Sequence, residues 1–175
     1  MCIRDRDAPF SGEAEEVFRA EHRIRSRAWG EDGMLMLTER ERMKRWQYTW
    51  LLNVDDGTAR LWFDRNEKDR YSSPGSPVYR SLENGYRVLH QEGDAVYFAG
   101  SGASPDGDRP FLDLRSTATG EVTRLFRSEP DRYESFVAFA GEEGRFIIRS
   151  ESAADVPNYL LAQPGEPVEA AEGEA

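Results

Sequence analysis

The chain has 175 residues, enough for one domain with its own core, and carries 23 Lys and Arg against 33 Asp and Glu, a net charge of −10. That balance argues against a nucleic-acid partner, whose phosphates call for a basic face. Hydrophobic residues make up 38% and aromatic residues 11%, which suits a folded domain with polar loops rather than a disordered chain.

No apolar run approaches the roughly 18 residues of a membrane span, so no membrane partner is expected. Residues 1–6 (MCIRDR) have no apolar segment behind their charges and are not a secretory signal. They fit no neighbouring pattern and read as an artefact or a disordered start, and the compartment stays open. Cys2 is the only cysteine, which excludes an internal disulfide and a cysteine metal site.

Residues 7–12 are a polar, turn-rich entry. Residues 13–24 leave two readings open: a helix on their Glu and Ala content, or short strands around Val17-Phe18 and through Ile24. Residues 29–33 (WGEDG) are a turn. The apolar run 34–37 (MLML) suits a strand buried on both faces. A second strand over 47–54 carries Tyr48 and Trp50, Asp55-Asp56-Gly57 is a hairpin turn, and 59–63 returns. A long loop follows over 64–77. Residues 85–90 and 95–99 form the next strand pair around Gln91-Glu92-Gly93-Asp94. The Gly-rich loop 100–108 precedes Leu112 and Leu114, which alternate with Asp113 and Arg115 as in a strand. The turn 116–121 leads back through Thr123 and Leu125. Strands over 133–140, 145–150 and 159–162 complete the series, and 163–175 reads as a disordered acidic tail.

About ten short strands separated by turns make an all-β meander. Several are apolar on both faces, and without helices the cover must be other sheets. Antiparallel four-stranded sheets stacked as blades of a β-propeller meet that need better than a two-layer sandwich. An internal repeat agrees: residues 50–61 resemble 112–125, and 159–166 look like a third, shortened copy. Ten strands make two to three blades over residues 7–162, whereas a propeller closes with about four to eight. The expectation is therefore an incomplete propeller, with apolar faces and strand edges left open.

The residues also carry a resemblance. Asp5-Arg6-Asp7 with Phe10-Ser11-Gly12, Leu61-Trp62-Phe63-Asp64-Arg65, Tyr71-Ser72-Ser73-Pro74-Gly75-Ser76, and above all residues 100–107 followed by Pro110-Phe111-Leu112-Asp113-Leu114 are the carriers. Together they resemble the N-terminal propeller of prolyl oligopeptidase-like serine peptidases, in the glutamyl endopeptidase-like branch. The resemblance runs over most of residues 5–162. It implies an α/β-hydrolase domain with a Ser, Asp, His triad following the propeller, and a propeller that limits access to peptides and small proteins. On that reading the chain is a fragment without the catalytic domain, its partners being that domain and, through the parent enzyme, peptide substrates. The alternative is a stand-alone β-rich module that binds a protein or ligand and has no enzymatic role.

The chemistry-bearing residues fit a non-catalytic role. There is no Gly-x-Ser-x-Gly elbow to expose a nucleophilic serine. Gly100-Ser101-Gly102 has the wrong spacing for one, and as a phosphate loop it lacks a following helix N-terminus. His22 and His90 have no nucleophile placed by motif, and the carboxylates show no metal-ligand spacing. Asp55-Asp56 and Glu142-Glu143 read as solvated turn residues. No catalytic residue, metal or cofactor is expected. The basic run Arg40, Arg42, Lys44, Arg45 reads as a solvated hairpin loop. In the parent enzyme it has a second reading: Arg42, Lys44 and Arg45 would face a central cavity and steer acidic substrate segments, in keeping with the family's cleavage after glutamate.

Overall fold

The computed structural model describes residues 1–6, 8–141 and 144–165, and every regular element among them is a strand. In chain order these are β1 (Cys2–Asp5), β2 (Glu15–Arg19), β3 (Arg23–Trp29), β4 (Met34–Glu41), β5 (Trp46–Asn53), β6 (Thr58–Asn66), β7 (Ser76–Pro77), β8 (Tyr79–Ser81) and β9 (Arg87–Leu89). There follow β10 (Gln91–Glu92), β11 (Ala95–Gly100), β12 (Ala103–Ser104), β13 (Gly107–Asp108), β14 (Phe111–Ser116), β15 (Val122–Arg127), β16 (Arg132–Phe139), β17 (Phe146–Ser152) and β18 (Asn158–Ala162). The larger sheets run in the orders β3-β4-β5-β6, β10-β11-β14-β15 with β7 also on β11, and β16-β17-β18. No helix long and apolar enough to cross a membrane occurs among the described residues. The all-β class and the antiparallel sheets of about four strands match the sequence expectation. None of these sheets closes into a barrel among the described residues, which is the inventory of an incomplete propeller.

The chain divides into two compact units. The first comprises Met1–Asp69, Tyr79–Val96 and Thr117–Gly120; the second comprises Arg70–Val78, Tyr97–Ser116 and the described residues from Glu121 on.

In the first unit the β3–β6 meander sets Leu35 opposite Leu52 and Leu37 opposite Trp50. Strand alternation puts these four side chains on one face. Leu35, Leu37 and Leu52 form a buried cluster, and Trp50, Ile3, Val17, Phe18, Ile24 and Val54 pack against it. That packing decides residues 13–24 for strands. β2 pairs with β1, and Val17 and Phe18 land on the cluster, with Phe18 at 5.3 Å from Trp50. The Glu and Ala content that favours a helix is overridden by this tertiary contact. The β5–β6 turn forms as its residues demand. Asn53 Oδ1 accepts from the Asp55 and Asp56 amides, Asp56 Oδ1 accepts from the Thr58 amide, and Gly57 sits at φ +70°.

In the second unit Tyr97, Leu112, Phe126, Phe146, Ile148 and Ala162 form the buried cluster. Phe146 is its hub, with ring centroids of Phe126, Phe136 and Phe139 at 5.7, 6.1 and 6.5 Å. The Gly-rich loop holds a further small hairpin, β12 against β13, in which Ser104 Oγ donates to the Gly107 carbonyl at 2.7 Å.

Candidate functional site

The basic run is split by the fold. β4 continues past Leu37 through Thr38 to Glu41, and Glu41 pairs with Trp46, so residues 42–45 alone make the turn. Arg45 adopts φ +55° there, and Met43 at the tip is 91% exposed. Arg40 stays in the strand, 2.5 Å from Glu67 Oε2, while Glu67 Oε1 accepts from Arg25 and Gln47 at 2.7 Å each. Burial opposes the Glu67 charge, but donation from Gln47 and Arg40 and the nearby guanidinium charges outweigh it, and the carboxyl is held below its ordinary value.

Lys44 is tied back as well, its ammonium 3.0 Å from Glu41 Oε1. That hydrogen bond lowers the Glu41 carboxyl and raises the Lys44 ammonium. Tyr48 donates to Glu41 Oε2 at 3.3 Å, and the His22 ring stacks on Tyr48 at 5.5 Å. Of the substrate-binding candidates, then, Arg42 and Arg45 are exposed with no side-chain partner among the described residues, whereas Lys44 already serves Glu41. Two free guanidinium groups on a turn can take a carboxylate through paired N–H donors.

The remaining sequence candidates do not assemble into a catalytic group. Gly102 accepts the Arg109 amide through its carbonyl at 3.0 Å, so the Gly-Ser-Gly segment closes a turn. His90 is half-buried, and desolvation, followed by the Arg80 charge, keeps its imidazole below the ordinary value. Asp55 and Asp56 lie in the β5–β6 turn, and Glu142 and Glu143 lie outside the described residues. Among the described residues no cluster of His, Cys, Asp or Glu is arranged to hold a metal.

Three carboxylates are buried among the described residues, Glu39, Asp113 and Glu134, and nothing in the sequence marks them out. Glu39 is 2% exposed; its Oε1 accepts from Trp50 Nε1 and its Oε2 from the His22 amide, both at 2.9 Å. Glu134 is 4% exposed and accepts from the Ser150 hydroxyl at 3.0 Å. Arg132 donates to that same hydroxyl through Nε at 3.1 Å and Nη2 at 2.9 Å, and through Nη1 to Asp155 Oδ2 at 2.8 Å. The Asp155 bond raises the guanidinium further, and the same bond holds the Asp155 carboxyl low. Ser128 Oγ accepts the Glu134 amide at 3.0 Å and donates to the Arg132 carbonyl at 2.7 Å.

This network lines one side of a cavity of about 830 Å³ in the second unit, with Leu125, Phe126, Leu160 and Val156 supplying apolar lining. Its Ser150 hydroxyl faces a guanidinium and a carboxylate, and no imidazole lies among the lining residues to take a proton from it.

No family model matches the chain. Among curated proteins it is similar to "Probable glutamyl endopeptidase, chloroplastic" of Arabidopsis thaliana, at 33% identity, and to the protein of the same description from Oryza sativa subsp. japonica, at 31%. Each match covers 87% of this chain and 18% of the relative, so the chain spans about a fifth of the length of these proteins. Among solved structures, TolB from Acinetobacter baumannii is matched over 91% of this chain and 35% of that one, at 16% identity and a TM-score of 0.45, a likeness too slight to bear on the fold.

Proposed function

We propose that this chain is a non-catalytic propeller portion of a serine peptidase of the glutamyl endopeptidase kind, gating the access of peptides to an α/β-hydrolase domain that its 175 residues do not contain. The observation that carries the reading is the 33% identity over 87% of the chain to a protein of that description, of which the chain spans 18%. The four-stranded β3–β6 meander and the shorter β16–β18 sheet supply the blade-like framework. In this reading the sheets act as rigid walls that admit an extended peptide and turn away a folded protein. On the turn 42–45, Arg42 and Arg45, with Lys44 beside them, attract acidic segments through their charge.

The test is hydrolysis by the whole gene product. It is expected to cleave short glutamate-containing peptides and to spare folded proteins, while the 175-residue chain alone cleaves neither. A whole gene product without peptidase activity would sink the reading and favour a stand-alone binding module. Replacing Arg42, Lys44 and Arg45 by Gln in the active product is expected to lower kcat/KM for acidic peptides relative to neutral ones. Equal kinetics on both classes would remove the steering role.

A further inference from the structure

The register of the β3–β6 sheet sets like charges against each other. Arg23 of β3 pairs with Arg40 of β4, Arg40 with Gln47 of β5, and Gln47 with Arg65 of β6. Residues paired across strands share a face, with neighbouring strands about 4.8 Å apart. The sheet therefore carries a row of arginine, arginine, glutamine and arginine from edge to edge, in a chain of net charge −10. Like charges directly opposite each other destabilise a sheet.

The fold answers this row only in part. Arg40 and Arg25 both meet Glu67, and Gln47 donates to the same carboxylate. Arg65 donates through Nη2 to the Asp69 carbonyl at 2.6 Å. The Nε–H groups of Arg40 and Arg65 are buried and find no acceptor among the described residues. Arg23 is exposed and has no side-chain partner among the described residues. A sheet selected for stability alone would set an acid or a neutral residue opposite Arg40. A local rule broken without a local return points to a contact made elsewhere.

We infer that the row is a contact for an acidic peptide segment, whose carboxylates are taken by Arg23 with the partly exposed Arg40 and Arg65 beside it. The inference deepens the reading of the chain as a peptide-admitting part of a peptidase, and rests on that reading for the class of ligand. Glu67 shows which group the row accepts, since Arg25, Arg40 and Gln47 converge on one glutamate side chain. An incoming glutamate meets the same chemistry at the guanidinium fork of Arg23. A long polyanion is repelled by the charge of the rest of the chain, whereas a short segment senses mainly the charges within a Debye length of about 8 Å. The Glu67 amide donates to the Arg45 carbonyl at 2.8 Å, so the row adjoins the turn 42–45. The turn attracts an acidic segment and the row holds it.

Calorimetric titration of the whole gene product with acetyl-D-Glu-Gly-D-Glu-amide, which a peptidase acting on L-residues leaves uncut, tests this. The peptide is expected to bind, less tightly as salt is added, and its D-Gln counterpart to bind at least about fivefold more weakly. Arg23→Gln should weaken binding of the acidic peptide about fivefold and leave the thermal midpoint unchanged or raised, because it relieves the like-charge contact with Arg40. Arg23→Lys keeps the charge without the fork and should fall between. No binding of the acidic peptide, equal binding of the two peptides, or an Arg23→Gln product that binds as the parent does would each overturn the inference. So would a loss of binding that comes with a lowered midpoint, which would make Arg23 structural. Inorganic pyrophosphate that displaces the peptide and binds more tightly would assign the row to a phosphate ligand instead. Peptidase activity is a separate readout. A product that binds the peptide through Arg23 but hydrolyses nothing would end the peptidase reading and leave the row standing; an active peptidase indifferent to Arg23→Gln would do the reverse.

Discussion

Glu39 in the first unit and Glu134 in the second are equally buried but answered differently. Glu39 is held by two neutral donors, an indole N–H and a backbone amide, and both of its oxygens are used within one wall of the sheet. Glu134 is held by the Ser150 hydroxyl and by an ion pair with Arg132 at 3.4 Å, in a chain of polar groups that ends on a half-exposed aspartate beside a cavity. The first arrangement has no slack and reads as a structural post that fixes β4 against β5. The second shares one guanidinium between two acids, since Arg132 reaches both Glu134 and Asp155.

The difference can be broken or sharpened by substitution. The largest expected effect tests whether the Glu134 network depends on the aromatic core behind it. Phe146→Ala empties a fully buried ring site and should cost about 3–5 kcal/mol, with exchange protection lost in β16–β18 before β3–β6. Equal loss in both would mean that the two units do not open separately.

Glu39→Gln comes next. The amide keeps one acceptor oxygen and sets an NH₂ against a donor, so about 2 kcal/mol should be lost, read as a lowered midpoint in denaturant and a change in Trp50 fluorescence. Glu134→Gln should cost less, about 1 kcal/mol, because the remaining carbonyl oxygen can keep the Ser150 bond and Arg132 keeps Ser150 and Asp155 as partners. If Glu134→Gln proves the costlier of the two, Glu39 is not the more tightly held carboxylate.

Acid should separate the units in order. His90 has a depressed value in the folded chain, so the unfolded chain takes up a proton first. Its contribution to stability is present above the ordinary value of 6.5 and is lost as pH falls below it. Asp155 has a depressed value for the opposite reason, its charge being favoured by Arg132. Its contribution is present above the ordinary 3.8 and is lost only as pH falls through the lower folded value. Exchange protection in β8–β9 should therefore weaken as pH falls below 6.5, and protection around residues 150–155 only below pH 3.8. His90→Gln should flatten the first change and Asp155→Asn the second. The smallest effect belongs to the turn: Arg42→Gln and Arg45→Gln should shift stability by no more than about 0.5 kcal/mol, since neither side chain has a partner among the described residues.

The meander was readable from the sequence because its turns are written in local chemistry. Asp55-Asp56-Gly57 and Gly120 place their hairpins through residues that bond to their own backbone or tolerate positive φ. Where the outcome depends on distant partners, reading from the sequence stopped. Residues 13–24 become strands because Val17 and Phe18 find Leu37 and Trp50, which no local propensity encodes. Strand β4 runs on through Thr38-Glu39-Arg40-Glu41 because Glu39 has Trp50 and Arg40 has Glu67, so charges that looked like a loop are paired within a sheet. Within the basic run, Arg40 and Lys44 are engaged by acids at sequence positions 67 and 41, a pairing that no local pattern encodes. The Ser128–Glu134–Ser150–Arg132 network went unseen, since scattered serines and a glutamate on alternating strands carry no spacing signal.

One close approach in the second unit bears on how this sequence can drift. A Cβ built on Gly75, at φ +78°, would run into the carbonyl of Ala99, and one on Gly100 would lie 2.8 Å from the Cα of Gly75 and 2.8 Å from the Phe111 ring. In a glycine codon every single-nucleotide change that is not silent either brings in a Cβ or stops translation. These two positions can therefore change only silently, and so can Gly102, at φ +61°, where a Cβ would lie 1.9 Å from the Arg109 carbonyl oxygen.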